Sequence, residues 1–225
     1  MTLAFVNDVA SPLALEAETL VPLCAGPERS VAATKSMIAG LVAGASLVAH
    51  WRGDAALAAA LAALPEALSA KVDPPASLVE TLAATKNAFV LGRGATLAIA
   101  AEAALKLKET CAIHAEAFSS AEVLHGPAEL VGPGFLVIAF LPRDSAREGI
   151  EATLRRLGDV GANIIRVEAG EADSDHVLGA AASASPLIAP IPMIHRFYRL
   201  VEAVALQLGR DPDRPRNLRK VTETI

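Results

Sequence analysis

The chain has 225 residues, 53% of them hydrophobic and 20% charged, and carries a net charge of −5 at pH 7. Such a composition can bury a sizeable core and lies far from that of a disordered protein. It provides no basic field and no Lys/Arg cluster interleaved with aromatics, so no nucleic-acid partner is expected.

Cys24 and Cys111 sit in apolar surroundings and form no CxxC pair. They read as buried free thiols of a reducing compartment, which makes a cytoplasmic location the expectation. The opening MTLAFVNDV lacks a basic region followed by a long apolar run, so no signal peptide is expected. The longest apolar stretch, Met37 to Trp51, is short for a bilayer and rich in Gly and Ala. It reads as a buried helix, and no membrane partner is expected.

In chain order, Thr2 to Val6 is an apolar run ending at Asn7-Asp8, which fits a strand buried on both faces and closing in a polar loop. Parallel sheets bind ligands at such ends. Ser11 to Glu18 predicts a short helix, Thr19 to Cys24 a strand, and Ala25-Gly26-Pro27 a turn, after which Ser30 is expected to cap a helix running to Trp51. A further Ala/Leu-rich helix begins at Asp54, with Pro65 expected to kink or divide it. Asp73-Pro74-Pro75 disfavours a helix and predicts a linker, which places boundaries at 1–73, 74–208 and 209–225.

Beyond the linker come a helix at Ser77 to Thr85 and then an alternation. Strands are predicted at Ala88 to Leu91, Phe135 to Leu141, Asn163 to Val167 and Leu187 to Ala189. Helices are predicted at 97–112, 119–124 and 146–160, with a closing helix from Met193 to Leu208. Strand and helix in turn imply an α/β fold with a parallel, doubly wound sheet. The polar tail 209–225 carries too few apolar residues for a core element and is expected to fray or to fold over a site.

One segment, EAALKLKETCAIHAEAFSSAEVLHGP, is dense in charge for so Ala-rich a chain. Glu102, Lys106 and Glu109 follow i, i+4, i+7 spacing and share a helix face. The bland reading is a solvated salt-bridge stripe. The sharper one is a carboxylate tuned for proton transfer by a lysine in a partly dry cleft, with Glu109 as base and Glu102 and Lys106 orienting it or holding substrate oxygens. Ser119 and Glu122 have capping-box spacing, and the short helix they start delivers His125 to a turn at Gly126-Pro127 where its imidazole is exposed. His114, with apolar neighbours, reads as structural, as do His50, His176 and His195, and no pair has metal-site spacing. Gly92-Arg93-Gly94 at a strand-to-helix turn could offer N–H groups to a phosphate, but tight packing alone explains such glycines.

The same segment, with AGPERSVAATKS near the start and DPDRPRNLRKVTETI at the end, resembles the sugar isomerase (SIS) domain proteins. It is most similar to the isomerase half of the glutamine–fructose-6-phosphate aminotransferases and to the SIS-type glucosamine-6-phosphate deaminases. The resemblance implies paired SIS domains, each a parallel sheet flanked by helices, working as a homodimer on a phosphosugar without cofactor or metal. By the same resemblance Glu109 is the base moving a proton between C1 and C2, Lys106 a lysine near it, and Glu102 a further site carboxylate. His125 implies a ring-opening histidine reaching the neighbouring subunit's site, Lys220 a tail lysine closing over the open-chain sugar, and Asn7-Asp8 a loop lining the substrate.

Two departures shape the expectation. The family's first domain holds the sugar phosphate in a Ser/Thr-rich loop, and nothing before Asn7 supplies it, so the first SIS domain is expected to be N-terminally truncated and the second complete. No N-terminal cysteine nucleophile precedes the first strand, so glutamine-dependent synthesis by this polypeptide alone is not expected. The expected activity is reversible isomerisation of glucosamine 6-phosphate and fructose 6-phosphate with loss of ammonia. The alternatives are amination with ammonia supplied from elsewhere and a non-catalytic phosphosugar sensor.

Overall fold

The computed structural model describes residues 1–220. Leu3–Val6 (β1), Pro12–Glu16 (α1) and Thr19–Pro22 (β2) form a small βαβ unit whose strands pair in parallel, Leu3 opposite Thr19. Two helices follow, Lys35–Arg52 (α2) and Ala55–Leu68 (α3), packed together through Ala49, Leu57, Ala60 and Leu64. Gly53 ends α2 in left-handed backbone at φ 62°, and Asp54 caps α3 by accepting from the Leu57 N–H at 2.9 Å.

The larger unit runs through Ala76–Ala83 (α4), Asn87–Gly92 (β3), Leu97–Lys106 (α5), His114–Ser119 (β4) and Leu136–Leu141 (β5). It continues with Ala146–Asp159 (α6), Asn163–Ala169 (β6), Val177–Ala180 (β7) and Pro190–Gln207 (α7). The five strands lie in the order β4-β3-β5-β6-β7, all parallel.

The pattern follows from side-chain alternation in strands covered on both faces. Every residue of β5 is buried. Val90, Ile138, Phe140, Ile165 and Val167 point to the face covered by α4, α5 and α7, whereas Phe89, Leu91, Val137, Ala139 and Leu141 meet Ile150, Leu154 and Leu157 of α6. Burying each large side chain of this kind stabilises by about 1.5–3 kcal/mol. Ala100, Ala103 and Ala104 keep α5 close to the sheet, and Phe140 meets Phe197 with ring centroids 5.5 Å apart.

Because the chain leaves β3 for β4 on one side and returns to β5 on the other, a switch point opens at the carboxyl ends of β3 and β5. There the Thr96 hydroxyl accepts from the Arg93 N–H and donates to the Arg93 carbonyl, both at 3.0 Å. A Cβ on Gly92 would overlap the Thr96 carbonyl, so this glycine is required by close backbone approach.

Several expectations are corrected. Leu187–Ala189 is not a strand: Pro186–Ile188 is a 3-10 turn feeding α7, and the fifth strand is Val177–Ala180. Pro186, Pro190 and Pro192 lack the N–H that a parallel ladder needs but suit helical first turns. The strand His114–Ser119 was not anticipated, since only Ala115 of its first three residues is buried and the edge position leaves His114 and Glu116 exposed. Ser119 therefore ends a strand, and the predicted capping box is absent: the helical turn is a 3-10 segment, Glu122–His125, with Ala121 before it. Pro65 does not divide α3. Cys24 is exposed, at φ 52°, whereas Cys111 is buried and burial pushes its thiol upward.

Ser30 does not cap α2. Its hydroxyl donates to Asp213 at 2.5 Å, while Glu28 accepts from the Thr34 and Lys35 N–H groups at 2.7 and 2.8 Å and from the Ser36 hydroxyl. A carboxylate serves the helix start better than a hydroxyl because it meets orphan donors and the dipole at once. The Asp73-Pro74-Pro75 segment belongs to neither helix nor strand, and Arg196 of α7 donates to the Val72 and Asp73 carbonyls and to Asp173. Of the tail 209–225, residues 221–225 lie outside the described residues.

Candidate functional site

The site begins where α5 changes pitch. Leu107–Cys111 continues the helix as a π-helical segment that ends at Ala112 in left-handed backbone, φ 54°. For alanine that conformation costs roughly 1–2 kcal/mol, a strain of the kind that collects at functional positions. Thr110 donates to the Lys106 carbonyl at 2.8 Å and closes the widened turn. Glu109 lies within this segment and stays within reach of Lys106.

The helix spacing is realised in side-chain contacts. Lys106 Nζ lies 3.2 Å from Glu102 Oε1 and 2.7 Å from Glu109 Oε2. This is not a solvated stripe, because the Lys106 side chain is 4% exposed, Glu102 11% and Glu109 20%. An ammonium so far from water needs its anionic partners. Tyr198 of α7 adds a donor, its hydroxyl reaching Glu102 Oε1 at 2.7 Å. Burial first, then the charge and hydrogen bond of Glu102, push the phenol far above its ordinary value, so it stays a donor.

Two cavities border the Lys106–Glu109 pair. One of about 730 Å³ is lined by Glu109, Ala112 and the tail, with Lys108, Arg210, Arg214 and Arg216 on its wall. The other, about 300 Å³, is lined by Lys106, Tyr198, Arg199, the loop before α2 at Ser30 and Thr34, and Lys35 at the start of α2. Thr110 borders both. A carboxylate beside one cavity, with a buried cation behind it and arginines facing it, is equipped to take a proton from an anionic substrate.

Lys220 lines neither cavity but is tied to the loop that borders the smaller one: its Nζ donates to the Ser30 carbonyl at 2.6 Å, and the Val31 N–H donates to the Asp213 carbonyl at 3.1 Å. Asn7 is engaged elsewhere, accepting from the Ala25 N–H at 2.8 Å and donating to the Gly26 carbonyl at 2.7 Å, so it braces the loop that leads to Ser30. Asp8 accepts from the Ala10 N–H at 2.9 Å in its own turn. Neither lines either cavity. His125 is exposed at the end of its 3-10 turn and also lines neither. His114 is exposed beside Asn87 and Glu116 and not among apolar neighbours. Among the described residues no group of His, Cys, Asp or Glu could hold a metal, and no helix is long and apolar enough to cross a membrane.

Sequence reasoning passed over Tyr198, Arg199 and Glu28 and read His195 as structural. A signal on α7 was present: His195, Tyr198, Arg199 and Glu202 recur at i, i+3, i+4, i+7 and form a polar stripe on a largely apolar helix that also buries Arg196. His195 is held below its ordinary value by burial, then by Arg199 and Arg196.

Residues 81–183, which contain the whole five-stranded sheet, match the model of the SIS domain. The chain carries a SIS domain. It is 33% identical over 228 residues to the glutamine–fructose-6-phosphate aminotransferase [isomerizing] of Methanothermobacter thermautotrophicus, an alignment covering 97% of this chain and 38% of that protein. A crystal structure from Silicibacter pomeroyi DSS-3, provisionally assigned as a phosphosugar isomerase, superposes with TM-score 0.85 at 43% identity, over 94% of this chain and 64% of that one. The C-terminal domain of the Francisella tularensis glucosamine-fructose-6-phosphate aminotransferase gives TM-score 0.78 at 27% identity, over 95% and 65%. The chain thus spans about two fifths of the length of the curated relative and under two thirds of each solved one. Within the SIS domain, Glu102 and Lys106 lie on the first crossover helix, α5, and Glu109 on its π-helical extension, away from the switch point.

Proposed function

We propose that the protein interconverts glucosamine 6-phosphate and fructose 6-phosphate, releasing or taking up ammonia. The observation that carries this reading is the Glu109 carboxylate held 2.7 Å from a buried lysine at the edge of a cavity lined by arginines. In the open-chain amino sugar, Glu109 takes the proton from C2 and returns it to C1 while the C1 oxygen gains a proton and the nitrogen gives one up, which converts the C1 aldehyde and C2 amine into a C1 alcohol and C2 imine. Water then adds to the imine, and ammonia leaves to give the ketose. Each step asks for one carboxylate that alternates between base and acid, and donors around the oxygen that gains charge.

Lys106, 2.7 Å away, holds the Glu109 carboxylate in place to accept. Lys220 is the donor for the open-chain carbonyl or imine, released from the Ser30 carbonyl when substrate arrives. His125, exposed and away from both cavities of its own chain, is the ring-opening acid/base supplied to a twin subunit, and this requires a homodimer. Glu102 orients Lys106, and Asn7 and Asp8 act on the substrate only through the loop they shape. The cytoplasm is the compartment that such a substrate implies.

A second reading, amination of fructose 6-phosphate with ammonia from another source, is favoured by the 33% identity to the aminotransferase and uses the same groups in reverse. Purified protein is expected to release ammonia from glucosamine 6-phosphate, and Glu109→Gln to abolish it. Activity only in the synthetic direction supports the second reading. Binding of both sugars in calorimetry without turnover rejects both and leaves a sensor.

A further inference from the structure

On α7, the Tyr198 hydroxyl donates to Glu102 Oε1 at 2.7 Å; that same oxygen lies 3.2 Å from Lys106 Nζ, and Lys106 reaches Glu109 at 2.7 Å. The four groups form one line from α7 through α5 to the π-helical segment. Two carboxylates compete for one ammonium that water hardly reaches. How that cation divides itself depends on what else satisfies each carboxylate, because in a low-dielectric setting an unsatisfied anion pulls harder. Glu102 has a second donor, while no donor other than Lys106 reaches Glu109 among the described residues.

We propose that Tyr198 is a positioning residue for the reaction, whose hydroxyl satisfies Glu102 and thereby leaves Lys106 turned toward Glu109. This rests on the proposed role of Glu109 as base. Removing the hydroxyl makes Glu102 draw Lys106 back and lets the Glu109 carboxylate swing away from its productive orientation. The ring remains as a wall of the smaller cavity, so packing is kept. The charged groups around the phenol are Glu102, Lys106 and Glu109 from α5 and its extension, Glu28 from the loop before α2, and Arg199 and His195 from α7 itself. Lys35, Glu202 and Asp213 share the smaller cavity's wall. Glu102 is the one whose charge and hydrogen bond both act on the phenol.

The test has two independent arms. Tyr198→Phe is expected to lower kcat roughly 10-fold to 100-fold with KM little changed, the signature of a misdirected base in place of lost substrate contacts. An unchanged kcat overturns the proposal. The second arm needs no turnover. Tyr198 is the single tyrosine of the chain, so the alkaline rise in tyrosinate absorbance reports it alone. Glu102→Gln is expected to bring that rise to lower pH in folded protein; an unmoved onset means that Glu102 does not hold the phenol and overturns the network. If the parent protein turns over neither sugar, the proposed function fails by that result, while the absorbance arm still decides the network.

Discussion

The amine of Lys220 and the backbone carbonyl of Ser30 lie 2.6 Å apart across 190 positions of sequence. With the Ser30 hydroxyl on Asp213 and the Val31 N–H on the Asp213 carbonyl, this contact stitches the C-terminal tail to the loop before α2. The seam is made of exposed polar groups without an apolar core, the makeup of an element that opens at low cost.

Cutting the seam should therefore affect access more than stability. Asp213→Ala is expected to change the unfolding free energy by less than about 1 kcal/mol, the usual scale for exposed polar contacts. Limited proteolysis within 209–220 should become markedly faster in the variant. Equal cleavage rates would mean that the tail is held by something else.

Lys106 should be the least replaceable residue of the site. Lys106→Met leaves Glu102 and Glu109 facing one another, both largely buried, and breaking such an arrangement costs about 3–5 kcal/mol. Urea denaturation measures the loss. Adding Glu102→Gln to Lys106→Met should recover part of it, since the repulsion between the carboxylates then disappears. No recovery would show that the cost is packing of the lysine stem alone.

Glu28 links pH to the start of α2. Burial raises its proton affinity, but the hydrogen bonds from Ser36, Thr34 and Lys35 outweigh this and hold the carboxyl below its ordinary 4.5. A depressed folded-state value contributes stability that is present above the unfolded value and is lost as pH falls through the folded one. Glu151, lowered first by its hydrogen bond from Arg166, acts with the same sign. Stability should fall below pH 4.5, and Glu28→Gln, costing about 1 kcal/mol near neutrality as a lost cap, should make that acid fall shallower. Thermal melts from neutral to acid pH test it; parallel curves for parent and variant would contradict the linkage.

The two cysteines should differ in reactivity. Burial raises the Cys111 thiol, with Thr110 and Arg210 opposing weakly, whereas Cys24 is exposed. A thiol reagent at neutral pH should titrate one cysteine quickly in native protein and the second only after denaturation. Two fast thiols would place Cys111 in contact with solvent.

Much of the architecture was legible because parallel strands covered on both faces leave continuous apolar runs, as at Leu136–Leu141, and the helices between them keep their own period. His114–Ser119 was not legible: an edge strand with alternating polar residues and two alanines carries little hydrophobic signal. Nor was the fate of Leu187–Ala189, where an apolar run of strand character is taken into a turn by the prolines around it.

The sequence by itself determined the alternation of fully buried strands with amphipathic helices, the shared face of Glu102, Lys106 and Glu109, and the motifs that mark a SIS domain. These are periodic or contiguous features, written in local spacing. Tertiary structure alone decided that this face is dry, that Tyr198 completes it from α7, and that Ser30 meets the tail instead of capping a helix. Burial and partnership between residues 96 or 190 positions apart depend on which surfaces pack together, and no local spacing encodes that.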